Sequence, residues 1–297
     1  MERESLLAVL IILLGGLALQ PFASWPWRGA RGASPAELER RSWLRLWYPL
    51  VPVLLVAAWL CGWALSEPDP VPDVPGRWMF VLACVPFALL SGRALARSAW
   101  ALMRTPLDCG VSTVGLIQPQ VVFSPFLAKQ LDDGVIRAAL AHERAHAAHR
   151  DPLRIWVGQL VTDLQWPWPG AQRRFDAWLD ALELARDDEA RTHGADGGEL
   201  AAAVLASVRY LTRIEPRAAL LSSGTQLAHA RLVGDSRALR ERVSRLLAPL
   251  KEACSGPSRI PTSRRAEILL SFSLLAVLAL GVIFGERVMH PLLALMF

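Results

Sequence analysis

Four apolar segments, each long enough to cross a lipid bilayer, constrain the fold of this chain more than any other feature. They cover residues 5–23, 47–66, 78–97 and 268–285. A transmembrane helix needs roughly 20 mainly apolar residues, and 53% of the 297 residues are hydrophobic. The sequence therefore predicts a mainly α membrane protein with four transmembrane helices. A cleaved signal peptide is the alternative for the first segment, although the residues before it (MERE) carry no net positive charge.

The apolar segments divide the chain into three parts. Residues 1–97 form a predicted membrane region with three transmembrane helices. Residues 98–267 form the one interval large enough for a globular domain, and residues 268–297 contain the fourth helix and a short tail. The predicted architecture is thus a membrane bundle with a domain inserted before its last helix.

The arginines between these segments predict an orientation. The loop after the first segment carries five of them: Arg28, Arg31, Arg40, Arg41 and Arg45. The loop after the second segment carries one, Arg77. Short arginine-rich loops stay in the cytoplasm, so we expect residues 98–267 to be cytoplasmic and both termini to lie outside a bacterial plasma membrane; the inverted orientation is the alternative. The net charge of +5 comes from arginines placed beside apolar segments, which favours anchoring at a lipid bilayer over direct binding of nucleic acid.

A metal-binding motif lies inside the predicted domain. His142, Glu143 and His146 form the pattern H-E-x-x-H. Residues four apart share one face of a helix, so both imidazoles can bind one Zn²⁺ while Glu143 acts as the general base. The alternative is a solvated helix face with two incidental histidines. The four cysteines, which contain no C-x-x-C pair, disfavour a disulfide framework and a cysteine-ligated zinc; they are Cys61, Cys84, Cys109 and Cys254.

A catalytic zinc site needs a third protein ligand. His149 lies seven residues, or roughly 10 Å along a helix, from His142, which is too far to share one ion. Glu183 is the better candidate, because it occupies an apolar position on a later predicted helix, where a buried carboxylate needs a partner. Asp187, one turn further on, can orient a ligand imidazole. The alternative is a solvated edge in which Arg186 or Arg191 pairs with both carboxylates.

Local patterns predict the elements that carry these residues. Glycine, proline and β-branched residues over 110–124 predict two short strands or a hairpin. Asp132 or Asp133 can cap a helix that runs to about His149 and is stopped by Asp151-Pro152. Further helices are expected over 175–193, 199–213 and 236–250, and the apolar segment 153–164 is either a core helix or a helix at the membrane surface.

Several motifs together resemble the β-lactam sensor-antirepressor membrane metallopeptidases, the BlaR/MecR type. They are HERAHAAHRD, ELARD, GLIQPQVVFSP, LQWPWP and ALRERVSRLLAP. The resemblance implies three transmembrane helices, a cytosolic α+β zincin-like domain of the gluzincin type, in which a glutamate is the third zinc ligand, and a fourth transmembrane helix. It implies His142, His146 and Glu183 as zinc ligands, Glu143 as the catalytic base, and Asp187 and Asp151 as groups that orient the ligands.

The chain departs from this family at three points. Arg144 stands where an apolar residue is common and Arg186 where a cysteine is common, but neither removes a ligand. The penicillin-binding sensor domain of the family does not follow the last apolar segment, which argues against β-lactam sensing.

The expected activity is a zinc-dependent metalloendopeptidase acting on a cytoplasmic or membrane-proximal protein. A repressor-type regulator is one expected substrate, and a sensor protein one expected partner. The resemblance suggests that Val121, Val122 and Phe123 form an edge strand that pairs with the extended substrate. The alternatives are a non-enzymatic membrane signalling or scaffold module, and a membrane quality-control metallopeptidase.

Overall fold

The computed structural model describes residues 20, 23, 34–51, 88–89, 91–100, 110–165, 168–213 and 236–249. The chain forms two compact units. The first comprises residues 1–25, 47–89 and 252–297, and the second comprises 26–46 and 90–251. Nearly all described residues belong to the second unit, which carries the H-E-x-x-H motif.

Six helices of eight or more residues have defined bounds in this part of the chain. They are α1 (Pro35–Trp47), α2 (Asp133–Ala148), α3 (Asp151–Leu164), α4 (Pro169–Thr192), α5 (Gly197–Arg213) and α6 (Ser236–Leu247). Residues 91–100 are also helical, and short helical turns cover Tyr48–Leu50 and Pro125–Ala128. One antiparallel sheet contains the strands β1 (Val111–Val114) and β2 (Gln120–Phe123).

The predicted fold, a four-span membrane protein with an inserted α+β domain, is wrong for the part of the chain that the structure describes. Its helices include none that is both long and apolar enough to cross a bilayer. The longest, α4, has 24 residues, but arginines and carboxylates interrupt its apolar positions. Of the predicted spans, 268–285 lies outside the described residues, as do 5–23 except for positions 20 and 23, most of 47–66 and about half of 78–97. The described region is mostly helical, with only two short strands.

The predicted hairpin over 110–124 is confirmed. β1 and β2 pair from Val111 with Phe123 to Val114 with Gln120. Gly115 in the connection has a φ of +94°, and a Cβ atom there would lie 2.7 Å from the Gln118 carbonyl oxygen. Only glycine fits this turn without strain.

The end of α2 is confirmed as well. The helix begins after Asp132 and ends at Ala148, and Arg150 adopts the left-handed conformation with a φ of 53°. Pro152 then stands in the first turn of α3, where its missing N–H is tolerated. This tight reversal brings Asp151 back against the last turn of α2.

The α3–α4 interface forms the apolar centre of the unit. Phe175, Trp178, Leu179 and Leu182 on α4 are fully buried. A Cβ atom at Gly158 of α3 would lie 3.1 Å from the rings of Phe175 and Trp178. The segment 153–164 is therefore a core helix, and α4 begins six residues before the predicted start because Pro169 and the residues after it extend the helix.

The helices α5 and α6 complete the packing around α2. Asp196 caps α5, because its Oδ1 accepts hydrogen bonds from the backbone N–H groups of Gly198 (2.8 Å) and Glu199 (3.0 Å). A second apolar cluster joins α2, α4, α5 and α6; its buried members are Ala138, Ala190, Leu200, Ala201, Val204 and Leu246. The packing leaves one side of α2 facing α4 and α6, where the polar residues of the motif lie.

Gly158→Val should lower the free energy of unfolding by about 1–3 kcal/mol, because the new side chain overpacks the contact with Phe175 and Trp178. The matched control is Gly92→Val, since a Cβ atom at Gly92 meets nothing within 4 Å. Urea denaturation followed by tryptophan fluorescence measures both variants. Equal stability of the two would contradict the close α3–α4 contact.

Candidate metal centre

Three buried side chains converge at the interface of α2 and α4. The Nε2 atoms of His142 and His146 lie 3.0 Å apart. Glu183 Oε2 is 3.3 Å from His142 Nε2, and Glu183 Oε1 is 3.4 Å from His146 Nε2. Ligands at about 2.0–2.1 Å from a tetrahedral zinc ion are separated by about 3.3–3.4 Å. The three donors are thus spaced as the ligands of a single ion, and they form the candidate metal group that the described residues contain.

A carboxylate lies behind each histidine. His146 Nδ1 is 2.9 Å from Asp151 Oδ2, and both side chains are fully buried. His142 Nδ1 is 2.9 Å from Asp187 Oδ1, although this contact is less well aligned for a hydrogen bond. An Nδ1–H group that faces a carboxylate leaves the Nε2 lone pair directed at the metal position. The structure therefore places Asp151 and Asp187 where ligand-orienting groups are expected.

The surroundings of the Glu183 carboxylate show whether a cation would be favourable between the three donors. Both of its carboxylate oxygens are buried and accept no aligned hydrogen bond. Its closest cation in the described region is Arg242, whose Nη1 lies 2.9 Å from Oε2. Burying a carboxylate without hydrogen bonds is costly, and a divalent ion at this point would coordinate it. Two imidazoles and one carboxylate are a donor set that suits zinc.

The charges of the site shift the pKa values of its members strongly. Burial lowers the pKa of His146, but the Glu183 charge and the hydrogen bond to Asp151 outweigh it and raise the pKa to about 10. Burial acts to raise the pKa of Glu183, but Arg242 and His146 hold it well below its usual range. Without a metal ion, His146 therefore carries a proton at neutral pH. A proton and a metal ion compete for the same lone pair.

Glu143 is held separately from the ligands. Glu143 is 2% exposed. The hydroxyl of Thr113 on β1 donates a hydrogen bond of 2.7 Å to Glu143 Oε2. The same hydroxyl is 2.9 Å from the Glu143 carbonyl oxygen. Sequence reasoning missed Thr113, because nothing in the order of residues shows that β1 lies against this turn of α2.

The positions of the side chains decide two questions from the sequence: whether His149 joins the ligands, and whether Glu183 and Asp187 are a solvated edge. His149 is half-exposed and contacts Glu189 at 3.0 Å, outside the ligand group. Glu183 and Asp187 are 4% and 1% exposed, so they are not a solvated edge. Arg186 does not neutralise them; its Nε and Nη2 donate to the two oxygens of Asp151, at 2.5 and 3.1 Å.

Arg242 is a second residue that sequence reasoning did not single out. It is 4% exposed, and its Nε and Nη2 donate to Asp187 at 2.7 and 2.8 Å. The sequence shows a late arginine-rich helix, but four arginines lie on it within nine positions. Only the orientation of α6 shows which of them enters the centre.

A small cleft with a volume of about 20 Å³ borders the centre. Its lining comprises Val111, Ala139, His142, Glu143, Asp187, Leu200, Ala203, Val204, Ser207 and Arg242. The predicted substrate-binding residues Val121, Val122 and Phe123 lie on β2 and do not contribute to this lining. The strand that borders the cleft is β1.

The hydrogen-bond pattern of the hairpin indicates which way β1 faces. The N–H group of Ser124 donates to the Gly110 carbonyl, in the same register that pairs Ser112 with Val122. Hydrogen-bonded pairs alternate along an antiparallel ladder. The peptide groups of Val111 and Thr113 therefore face away from β2, toward the other edge of the sheet.

Glu183→Ala should reduce zinc binding strongly, because one of three ligands is lost while the two imidazoles remain. Inductively coupled plasma mass spectrometry on the purified chain should find about one zinc ion per wild-type molecule and far less in the variant. Asp188→Ala is the matched control, since Asp188 lies on the same helix but pairs with Arg245. Unchanged zinc content in Glu183→Ala would mean that the third ligand is elsewhere.

Zinc binding at pH 8 should release protons. A histidine with an ordinary pKa near 6.5 is almost fully deprotonated at that pH, whereas the raised pKa of His146 keeps it protonated until the metal displaces about one proton. Isothermal titration calorimetry in buffers of different ionisation enthalpy counts the protons. Absence of proton release at pH 8 would contradict the charge arrangement described here.

No family model, curated protein or solved structure matches the chain.

Proposed function

We propose that the chain is a zinc-dependent metallopeptidase that hydrolyses peptide bonds of a protein substrate. The observation that carries this proposal is the convergence of His142, His146 and Glu183 at 3.0–3.4 Å from one another, a spacing that suits a single metal ion, with the carboxylate of Glu143 beside them at the edge of the cleft. Metal ligands alone would fit a structural site. A buried carboxylate that is adjacent to the ligands, and not itself one of them, is what hydrolysis requires.

Each residue of the centre has a distinct role in the proposed reaction. His142, His146 and Glu183 would hold the zinc ion, which when bound lowers the pKa of water and polarises the scissile carbonyl. Glu143 accepts the proton of the attacking water and passes it to the leaving amine. The Thr113 hydroxyl occupies Oε2 of Glu143, which leaves the other oxygen for the water. Asp151 and Asp187 keep both imidazoles in the tautomer that coordinates.

The hairpin next to the cleft supports an extended peptide as substrate. β1 borders the cleft through Val111, but Val111, Ser112 and Thr113 are buried. The partly exposed strand β2 of the same hairpin therefore suits the main-chain hydrogen bonds of an added strand better. The small apolar residues Ala139, Ala203 and Val204 line the same cleft and favour an apolar side chain next to the cleaved bond. The motif resemblance adds a regulatory, repressor-type protein as the substrate we would test first.

Glu143→Gln should abolish hydrolysis and keep the metal. Removing a general base costs typically about 10²–10⁴-fold in rate, while all three ligands stay in place. The assay is the cleavage of an unfolded protein such as casein by the zinc-loaded chain, with zinc content measured on the same sample. The matched control is Glu241→Gln, an exposed glutamate of α6.

Two results would reject the enzymatic proposal. One is a Glu143→Gln variant with wild-type activity. The other is a wild-type chain that binds zinc but cleaves neither unfolded proteins nor a repressor-type substrate, which would favour a signalling or scaffold role for the metal centre.

A further inference from the structure

We propose that Arg242 is a positioning residue of the metal centre: it fixes the ligand Glu183 and the histidine partner Asp187 relative to each other, and so makes the docking of α6 a condition for tight metal binding. The inference rests on the proposed zinc site, and it adds a residue and a helix that neither the H-E-x-x-H motif nor the third-ligand helix contains.

The first argument is the geometry of the guanidinium. Its Nε and Nη2 donate to the two oxygens of Asp187 at 2.7 and 2.8 Å. Its Nη1 lies 2.9 Å from Glu183 Oε2. A guanidinium is planar, so a bidentate contact on one carboxylate fixes the direction of the third nitrogen. A rigid group thereby contacts both carboxylates, with hydrogen bonds to Asp187 and an ion-pair contact to Glu183.

The second argument is burial. Arg242, Asp187 and Glu183 are 4%, 1% and 4% exposed. A buried cation is tolerated only when it is paired. The bidentate contact from Arg242 compensates the buried charge of Asp187, whose Oδ1 lies 2.9 Å from His142 Nδ1.

The third argument is the position of Arg242 in the chain. It lies 55 residues after Asp187, on a helix that packs against α5. One helical turn later, Arg245 donates to Asp188 at 2.8 Å, and Arg191 donates to the Ala248 carbonyl at 2.7 Å. The C-terminal end of α6 therefore has its own attachments to α4. Arg242 is not needed merely to dock the helix, and its two carboxylate partners are the two residues of α4 that serve the metal.

The experiment compares Arg242→Met, Arg242→Lys and Arg245→Met. Zinc affinity is measured by competition with a chromogenic chelator, using Zn²⁺ alone as the probe. Removing a group that orients ligands typically weakens metal binding by about 10–100-fold, and we expect this for Arg242→Met. Arg242→Lys should recover part of the loss, since it keeps the charge but not the planar fork. Arg245→Met should bind zinc like the wild type, because it breaks only the attachment to Asp188.

Two further measurements separate positioning from general destabilisation. The d–d absorption of the Co²⁺-loaded chain reports ligand geometry, and it should change in Arg242→Lys and stay unchanged in Arg245→Met. Asp187→Asn combined with Arg242→Met should weaken zinc binding by less than the product of the single effects, because both act on the same contact. If Arg242→Met does not fold, the cobalt spectrum and zinc affinity of Arg242→Lys decide.

The outcomes are distinct from those that test the proposed function. Wild-type zinc affinity in both Arg242 variants, or equal losses in Arg242→Met and Arg245→Met, would overturn the inference even if the chain is a peptidase. A wild-type chain that binds zinc without cleaving protein would reject the peptidase and leave the affinity comparison valid. A wild-type chain without zinc affinity would overturn both.

Discussion

Glu183 is a carboxylate placed among the apolar residues of α4, and the arrangement around it follows from the need to compensate that buried charge. Neither of its oxygens accepts an aligned hydrogen bond from the described residues. Two imidazoles face it at 3.3 and 3.4 Å, and one guanidinium nitrogen lies at 2.9 Å. An apolar side chain at this position would have been cheaper to bury. A divalent cation bound between these side chains would offset the cost of burying Glu183, because its carboxylate would then be a metal ligand.

The carboxylates next to the two imidazoles are connected to the first and to the last described helix of the compact unit. On one side Asp151 accepts hydrogen bonds from His146, Arg186 and Arg154. Arg154 also contacts Glu39 of α1, whose Oε1 accepts the indole N–H of Trp178 at 3.0 Å. On the other side Asp187 binds His142 and, through Arg242, α6. The first and the last described helices of this unit are thus connected to opposite imidazoles, which explains how helices remote in sequence can stabilise one small site.

The sequence was a good guide to local features and a poor guide to long-range ones. The helical period placed His142 and His146 on one face, and the apolar pattern of α4 marked Glu183 as out of place; both follow from short-range geometry. The hairpin and the ends of α2 were also predicted, because glycine and proline have strong local effects. The contributions of Thr113 and Arg242 were not, since each depends on packing between elements 30 or more residues apart. The described helices do not match the prediction of four spanning helices, since none of them is both long and apolar enough to cross a bilayer.

The proposed ligands and the proposed base lie next to each other in sequence, yet they are held by different parts of the fold. His142 is oriented by Asp187 of α4, whereas Glu143, the following residue, is held by Thr113 of β1. A helix turns by about 100° per residue, so consecutive side chains leave it in different directions and meet different neighbours. The metal can therefore be held rigidly by helices while the base is attached to the strand that borders the cleft.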